Sequence, residues 1–254
     1  MTIFKNIFLK NENYHYNSKI NYCSENILEV KNITKIYGKD ESSVYALKGI
    51  SLKIKKNAFV MITGESGSGK STLLTVIAGL NRPTDGEVFI NGISLYNDLN
   101  MDDQSLFRNR NIGYVFQSFQ LVPYLNAIEN VMLPLAIKRI RSKDKIEKAH
   151  EVLRRVGLIH KAYKLPGELS GGQQQRVAIA RSLVNNPMLI LADEPTGNLD
   201  SLTRMEIINL FETIRSEDKS TVIMVSHNLS DIGFKFDEID IKDGMINNYH
   251  KKTK

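Results

Sequence analysis

The sequence is short of cysteine and of long apolar runs, and both shortages limit where the protein can work. Cys23 is the one cysteine among 254 residues, so neither an internal disulfide nor a multi-cysteine zinc site can form, as suits a reducing compartment. Nowhere do about 18 or more apolar residues follow one another, so the chain is not expected to cross a membrane by itself. No apolar stretch of signal-peptide length precedes a small-residue cleavage site, which argues against secretion.

What is present is the composition of an ordinary globular protein. Hydrophobic residues make up 42% and charged residues 24% of the chain, which excludes collagen-like, mucin-like and wholly disordered proteins. The length suits one large domain, or a core with a smaller attached subdomain. Lysine and arginine outnumber aspartate and glutamate by 34 to 28, and the net charge of +6 permits a nucleic acid or an anionic membrane as partner without choosing between them.

Residues 1–26 differ from the rest of the chain and are interpreted as an N-terminal extension. They mix lysine, asparagine and tyrosine, and they contain no glycine or proline. One apolar helical face would be formed by Ile3, Phe4, Ile7 and Phe8. A flexible tail and a short helix that binds a membrane surface or a partner therefore both remain open. The main domain is expected over residues 27–250, followed by a C-terminal tail at 251–254.

Strand-like and helix-like segments alternate along the main domain. Nearly continuous apolar runs predict strands buried on both faces at Ala58–Thr63, Ile112–Phe116, Met188–Ala192 and Thr221–Ser226. Further strands are predicted at Ile27–Ile33, Ser43–Leu47 and Ile50–Ile54. Helices are predicted at Lys70–Ala78, Lys143–Val156, Gln173–Leu183 and Leu202–Glu217. This alternation indicates an α/β fold with a mainly parallel sheet, and the mostly helical interval 118–170 indicates an inserted helical subdomain.

One segment has the pattern of a loop that binds phosphate groups. It matches G-x-x-x-x-G-K-[ST] and consists of Gly64, Glu65, Ser66, Gly67, Ser68, Gly69, Lys70 and Ser71, with Thr72 following. A buried strand is predicted before it and a helix after it, so successive N–H groups and the helix N-terminus would point at a phosphate. Lys70 would reach the β- and γ-phosphates and the Ser71 hydroxyl would bind Mg²⁺. The pattern therefore predicts a nucleotide site, without distinguishing a GTPase from a kinase or a motor.

Two acids follow the apolar strand at Met188–Ala192. A strand buried on both faces cannot readily bury charges, so Asp193 and Glu194 belong at its carboxyl edge, where open parallel sheets bind ligands. Asp193 would take the Mg²⁺ side, through water, and Glu194 would polarise the water that attacks the γ-phosphate. The alternative is that both acids merely cap the turn that begins at Pro195.

A second glycine-containing segment lies just before a predicted helix. Ser170, Gly171, Gly172 and Gln173 form the centre of the run Leu169–Arg176 and would make another anion-binding helix N-terminus. With this run the sequence resembles the nucleotide-binding domain of ATP-binding cassette (ABC) transporters over Ile27–Tyr249. The resemblance implies a P-loop NTPase (RecA-like) core with an antiparallel β subdomain and an inserted α-helical subdomain.

The resemblance also implies roles for single residues. Tyr37 would stack on adenine, although a half-buried strand tyrosine is the alternative, and Gln117 would reach Mg²⁺ and the attacking water. Asp200 lies in the loop that would cross to a partner subunit, and His227 would contact the γ-phosphate. Family members work as head-to-tail dimers, in which each ATP would lie between one phosphate loop and the partner's Ser170 and Gly172.

The resemblance further implies that the cofactors are ATP and Mg²⁺ and that the partner is a separate membrane permease. This chain would then be peripheral on the cytoplasmic side of the membrane, and no nucleic acid partner is expected. Gly197–Asp200 and Gly113–Val131 are similar to the lipoprotein-release and macrolide-exporter branch, which favours export of lipoprotein, peptide or antimicrobial compounds. The alternative is a cell-division type of ABC ATPase that regulates a membrane partner without transport. Ser118–Gln120 departs from the family's usual residues at the surface expected to meet the permease.

A basic run lies within the predicted helical subdomain. It comprises Lys138, Arg139, Arg141, Lys143, Lys145 and Lys148. A solvated helix face explains such a run in the simplest way. Proximity to anionic lipid headgroups is the next explanation, and a nucleic acid is the last.

Overall fold

The computed structural model describes residues 24–38, 40–137, 141–226, 229 and 232–251. The predicted apolar face formed by Ile3, Phe4, Ile7 and Phe8 lies outside these residues, as does His227. No helix within the described residues is both long and apolar enough to span a bilayer.

A twisted sheet forms the centre of the domain. Its strands are β3 (Phe59–Thr63), β6 (Ile112–Val115), β7 (Leu189–Asp193), β8 (Thr221–Val225), β9 (Asp237–Lys242) and β10 (Met245–His250). They lie in the order β10-β9-β3-β8-β7-β6, with β10 antiparallel to β9 and the other neighbours parallel. The apolar runs form these strands because both faces of the sheet are covered.

A second sheet packs beside the first and is antiparallel. Its strands are β1 (Asn26–Tyr37), β2 (Val44–Lys55), β4 (Asp85–Ile90) and β5 (Ile93–Ser94), in the order β2-β1-β4-β5. The sequence predicted two strands, Ser43–Leu47 and Ile50–Ile54, where the structure has the single strand β2. The strand continues because a shift in register between β1 and β2 leaves Gly49, at φ 73°, in a bulge.

Helices surround the central sheet. They are α1 (Lys70–Ile77), α2 (Met101–Asn111), α3 (Ala127–Met132), α4 (Ser142–Arg155), α5 (Gly171–Leu183) and α6 (Ser201–Asp218). Short 3-10 turns lie at Asp40–Ser42, Leu133–Ile137, Ile159–Lys161 and Pro166–Glu168. Helices α3 and α4 fall between β6 and β7, in the interval where the sequence predicted an inserted helical subdomain.

Two apolar clusters cover the two faces of the central sheet. In β3, Phe59 and Met61 join one cluster, which we call the helix-side core, whereas Val60 and Ile62 join the other, the β-side core. The helix-side core also contains residues of α3, α4, α5 and α6, and the β-side core contains residues of β1, β2, β4 and α1. Alternate residues of β3, β7 and β8 thus hold both layers in place, and the carboxyl ends of the parallel strands meet at one edge.

Candidate active site

The phosphate loop connects the end of β3 to the start of α1. Gly64 has φ 139° and Gly69 has φ 105°, conformations that L side chains rarely adopt. A Cβ atom on Gly64 would lie 2.1 Å from the carbonyl oxygen of Ile241, and one on Gly69 would lie 2.5 Å from that of Ala46. Both glycines are therefore required by backbone packing, and they let the loop curl at the sheet edge.

Lys70 is the first residue of α1, and its side chain folds back into this loop. Its Nζ donates to the carbonyl oxygens of Gly64 at 2.9 Å and Glu65 at 2.6 Å. Burial lowers the pKa of Lys70, while the charges of Glu194 and Asp193 oppose that shift. The ammonium therefore lies inside the loop's curl, within the field of Asp193 and Glu194, where it can meet a phosphate.

The next residue connects the loop to the first acid of the pair. Ser71 Oγ donates to Asp193 Oδ1 at 2.8 Å, so the hydroxyl and the carboxylate predicted to bind Mg²⁺ are in contact. Burial raises the pKa of Asp193, and the neighbouring charge of Glu194 adds to that rise. Two hard oxygen donors, one of them a half-buried carboxylate, are ligands that suit Mg²⁺, which takes its remaining ligands from water and nucleotide phosphates.

The second acid of the pair lies beside the glutamine that follows β6. Gln117 Nε2 donates to Glu194 Oε2 at 2.9 Å, although the residues are 77 positions apart in the sequence. Glu194 has φ 44°, a left-handed conformation that is strained in a residue with a side chain. Because β6 and β7 are parallel neighbours, their carboxyl ends lie side by side, and the Gln117 amide and the Glu194 carboxylate that follow them are in contact.

A shallow groove of about 380 Å³ runs from the start of α1 to Tyr37. Its lining consists of Tyr37, Ser71, Thr72, Thr75, Leu80 and Asn81. The Tyr37 side chain is 42% exposed, and its hydroxyl accepts a hydrogen bond from Asn81 Nδ2. An exposed ring at one end and the phosphate loop at the other give the groove the shape that a nucleotide needs. Thr75 and Asn81 are lining residues that sequence reasoning missed, and no pattern in the sequence indicates them.

The segment around Ser170 caps α5. Ser170 Oγ accepts from the Gln173 N–H at 3.4 Å, and Gln173 Oε1 accepts from the Ser170 N–H at 3.1 Å, which is a reciprocal capping box. A Cβ atom on Gly172 would lie 2.6 Å from Thr203 Cγ2, so this glycine lets α5 approach the first turn of α6 closely.

Asp200 occupies the N-cap of α6 and is engaged within its own chain. Its Oδ1 accepts from the N–H groups of Leu202 at 3.1 Å and Thr203 at 3.0 Å, and its Oδ2 accepts from Thr203 Oγ1 at 2.6 Å. The hydrogen bond from the Thr203 hydroxyl is the main reason why the pKa of Asp200 is lowered. Thr203 is another residue that sequence reasoning missed, although Asp200 before a predicted helix is a recognisable N-cap signal.

The predicted site residues thus form two groups. Ser170, Gly171, Gly172, Gln173 and Asp200 line one pocket of about 460 Å³, together with Thr203 and Arg176. In the described part of the chain, no residue of the phosphate loop lines that pocket, and none of these residues lines the groove beside Tyr37. His227 lies outside the described residues. The structure therefore assembles the loop, both acids and Gln117, and leaves the Ser170 segment apart from them.

Comparison with known proteins identifies the family to which this chain belongs. Residues 47–197 match the family described as ABC transporter. An uncharacterized ABC transporter ATP-binding protein of Methanocaldococcus jannaschii, MJ0796, is 46% identical over 229 residues, which are 89% of this chain and 97% of that protein. Its dimeric structure bound to ADP and Pi superimposes with a TM-score of 0.82 at 44% identity, covering 89% of this chain and 99% of that one.

Two further relatives are named for transport. The lipoprotein-releasing system ATP-binding protein LolD of Geobacter metallireducens is 43% identical over 222 residues, with 87% of this chain and 97% of that protein covered. The macrolide export ATP-binding/permease protein MacB of Syntrophobacter fumaroxidans is 44% identical over 222 residues, 87% of this chain and 31% of that protein. The predicted fold class and branch are confirmed, and the chain belongs to the ABC transporter family as one of its ATP-hydrolysing, P-loop cassettes.

Proposed function

We propose that this cassette hydrolyses ATP with Glu194 as general base and drives a separate membrane permease. One observation carries the catalytic assignment: the contacts Ser71–Asp193 and Gln117–Glu194 bring three separate segments to one edge of the sheet. The phosphate loop would hold the phosphates, and adenine would stack on Tyr37.

In the proposed reaction Glu194 accepts a proton from water while the water oxygen attacks the γ-phosphorus. The bond between that phosphorus and the β–γ bridging oxygen breaks, so that ADP and inorganic phosphate form. The Gln117 amide orients the water because it already contacts the same carboxylate. Ser71, Asp193 and Gln117 would hold Mg²⁺, which neutralises charge on the phosphates. The Lys70 ammonium would leave the loop carbonyls for the β- and γ-phosphates.

The separation of the site residues into two groups supports a dimer as the active form. A single chain leaves Ser170 and Gly172 away from its own phosphate loop, whereas a second copy placed head to tail would bring its helix N-terminus to the γ-phosphate. The structure of MJ0796 bound to ADP and Pi is dimeric, which supports a dimer as the working form. Each copy would thus complete the other's site, with Asp200 at the crossing between them and with His227 on the γ-phosphate.

A second groove is suited to the membrane partner. It has a volume of about 370 Å³, and its apolar lining includes Leu80, Ile112, Phe116, Pro134 and Ile137. It lies where β6 meets the inserted helices, and Phe116 directly precedes Gln117. A short helix of a permease would bury its apolar face here, as amphipathic helices do in such grooves. This chain would then lie at the cytoplasmic face of a membrane as a peripheral subunit, without a nucleic acid partner.

The names of two relatives support export as the direction of transport and suggest the class of cargo. LolD is named for lipoprotein release and MacB for macrolide export, so we propose release or export of lipoprotein, peptide or antimicrobial compounds. Of the basic run, Lys138 and Arg139 lie outside the described residues, whereas Lys143, Lys145 and Lys148 lie in α4. Lys143 Nζ lies 3.9 Å from Glu147 Oε1, so an acid of the same helix balances part of the charge. A role of this cassette in regulating a cell-division partner without transport is the second candidate, carried by the same groove.

The catalytic assignment is tested with Glu194→Gln, which keeps the shape of the side chain but cannot accept the proton. We expect kcat to fall by about a hundredfold or more while ATP binding persists, because general base catalysis contributes that much. The variant should accumulate as an ATP-bound dimer in light scattering. Glu151→Gln, on the exposed surface of α4, serves as the matched control. It should hydrolyse ATP as the wild type does and should not accumulate as a dimer. Wild-type turnover in Glu194→Gln would remove Glu194 from this role.

A further inference from the structure

The turn that follows Gln117 has an uncommon backbone. Phe119 has φ 59° and Gln120 has φ 48°, so two successive residues with side chains adopt the left-handed conformation. The N–H of Gln120 donates to the carbonyl oxygen of Ser118 at 2.5 Å, which makes the turn tight. A turn of this kind persists only where the surrounding structure holds it in place.

Arg181 of α5 is the side chain that holds this turn. Its Nη1 donates to the Gln120 carbonyl oxygen at 2.6 Å, and its Nη2 donates to the Phe119 carbonyl oxygen at 2.8 Å. The rigid fork of a guanidinium matches two neighbouring carbonyl oxygens, and a lysine ammonium does not reproduce that geometry. Among the described residues, these two carbonyl oxygens are the polar partners of Arg181, and no carboxylate pairs with it.

Residues before and within the turn make different contacts. Directly before the turn, Gln117 Nε2 donates to Glu194 Oε2 at 2.9 Å. Within the turn, the ring of Phe119 lies beside the start of α5, where a Cβ atom on Gly171 would be 3.8 Å from Phe119 Cζ. Because Gln117 and Gln120 are only three positions apart, a displacement of the carbonyls that Arg181 holds would also move the Gln117 amide.

We propose that Arg181 is a positioning residue for ATP hydrolysis, which holds the Phe119 and Gln120 carbonyls and so keeps the Gln117 amide on the Glu194 carboxylate. This inference rests on the roles proposed above for Gln117 and Glu194. Arg181 acts through the turn and contacts neither the nucleotide nor the attacking water.

The first test compares Arg181→Lys with a matched control. Arg215 on α6 also donates to the carbonyl of a left-handed residue, with Nη1 2.8 Å from the oxygen of Asn57 (φ 61°), but it lies at the opposite end of β3. We expect R181K to lower kcat by about tenfold to a hundredfold, with the KM for ATP changed less than about threefold, because misplacing a catalytic group affects the chemical step. R215K should keep the wild-type kcat. An unchanged kcat in R181K, or an equal loss in R215K, would overturn the proposal.

The second test asks whether Arg181 acts through Gln117. If it does, adding R181K to a Gln117→Ala enzyme should leave kcat where Q117A alone puts it, since the amide that Arg181 positions is already gone. Independent effects that multiply would show that Arg181 acts elsewhere and would reject this inference alone. A wild-type kcat in Q117A, by contrast, would reject the proposed role of Gln117 itself. Thermal melting of all four proteins checks that each is folded.

Discussion

At the scale of single residues, Asp193 illustrates how a site for a cation is built into the protein. Its carboxylate is half-buried at the end of β7, where Ser71 donates a hydrogen bond to it. That hydrogen bond and the Lys70 charge oppose the rise in its pKa. A half-buried carboxylate without a full set of partners costs free energy in the nucleotide-free protein. Binding of Mg²⁺ and ATP would remove that cost, so part of the stability of the closed site is supplied by its ligand.

This reasoning predicts that Asp193→Asn stabilises the nucleotide-free protein while it impairs hydrolysis. The raised pKa means that the folded state binds a proton more tightly than the unfolded chain. Stability is therefore lost as the pH rises from 3.8 through the raised pKa, and the neutral amide avoids this loss. We expect the Tm at neutral pH to rise by about 2–4 °C for each roughly 1 kcal/mol gained. Calorimetry without nucleotide measures it.

Asp243→Asn provides the control for that experiment. Asp243 is exposed and has φ 51°, a conformation that asparagine adopts as readily as aspartate does. Its Tm at neutral pH should match the wild type. A Tm for Asp193→Asn that falls at neutral pH would contradict the view that the half-buried Asp193 carboxylate is costly.

The residues of the site could be predicted from the sequence where a local pattern identifies them. The phosphate loop and the Asp193–Glu194 pair follow directly from glycine spacing and from acids at the end of an apolar strand. Arg181 could not be assigned, because its role depends on carbonyl oxygens 61 and 62 positions away. A charged residue inside the buried helix α5 was a signal that something polar faces it, but only the fold shows what.

At the scale of elements, the first turns of α5 and α6 form one packed unit. Asp200 caps α6 and holds the Thr203 hydroxyl, which fixes the orientation of the Thr203 methyl group against Gly172. Threonine is stiff at χ1 and has little freedom to move aside. The capping of one helix therefore determines how closely the other can approach.

We expect Gly172→Ala to destabilise the protein, because its Cβ would lie 2.6 Å from Thr203 Cγ2. Gly171→Ala is the matched control, since its nearest neighbours lie at 3.7 and 3.8 Å, which is ordinary contact. The loss in Gly172→Ala should be about 1–3 kcal/mol, as for other overpacked positions, and chemical denaturation measures it.

A second substitution shows whether the methyl group is the cause. Thr203→Ser removes Cγ2 and keeps the hydroxyl that donates to Asp200. In the Gly172→Ala background it should restore most of the lost free energy of unfolding. If Thr203→Ser gives no recovery, the cost at Gly172 comes from the helix backbone instead of the contact.

Strands with a continuous apolar sequence were predicted well, and strands with a mixed or polar sequence were not. The apolar runs of β3, β6, β7 and β8 indicated strands because both of their faces are buried. Strands β9 and β10 were not assigned, because acids alternate with isoleucine in β9 and β10 is mostly polar and exposed. The two strands predicted at Ser43–Leu47 and Ile50–Ile54 are one strand, β2, that continues through a bulge at Gly49. Pairing with β1 determines this bulge, and no sequence pattern near Gly49 indicates it.

At the scale of the whole molecule, the groove beside Phe116 is the surface that we propose receives the membrane partner. Ile137 is 43% exposed at the rim of this groove, so an acidic substitution there should leave the isolated fold intact. Its charge would be buried without a partner once a permease helix docks, which costs several kcal/mol.

We therefore expect Ile137→Glu to lower the share of the chain that sediments with membranes by about tenfold or more, since each 1.4 kcal/mol is a factor of about ten. The measurement uses membranes from cells that also express a candidate permease subunit. Met245→Glu, at a 50% exposed position on β10, is the control and should bind as the wild type does. Equal binding by both variants would place the docking surface elsewhere.

The helix-side core has a consequence for attempts to exchange parts between relatives. Ile128 and Val131 of α3 and Leu153 of α4 share one apolar cluster with Phe59 and Met61 of the central sheet. A chimera that replaces residues 118–170 with those of another cassette would therefore also replace part of the apolar cluster to which β3 belongs. Such a chimera should fold only when the sheet-facing side chains of donor and recipient have matching volumes. Substitutions in the inserted helices and in the central sheet are therefore expected to be coupled in their effect on stability.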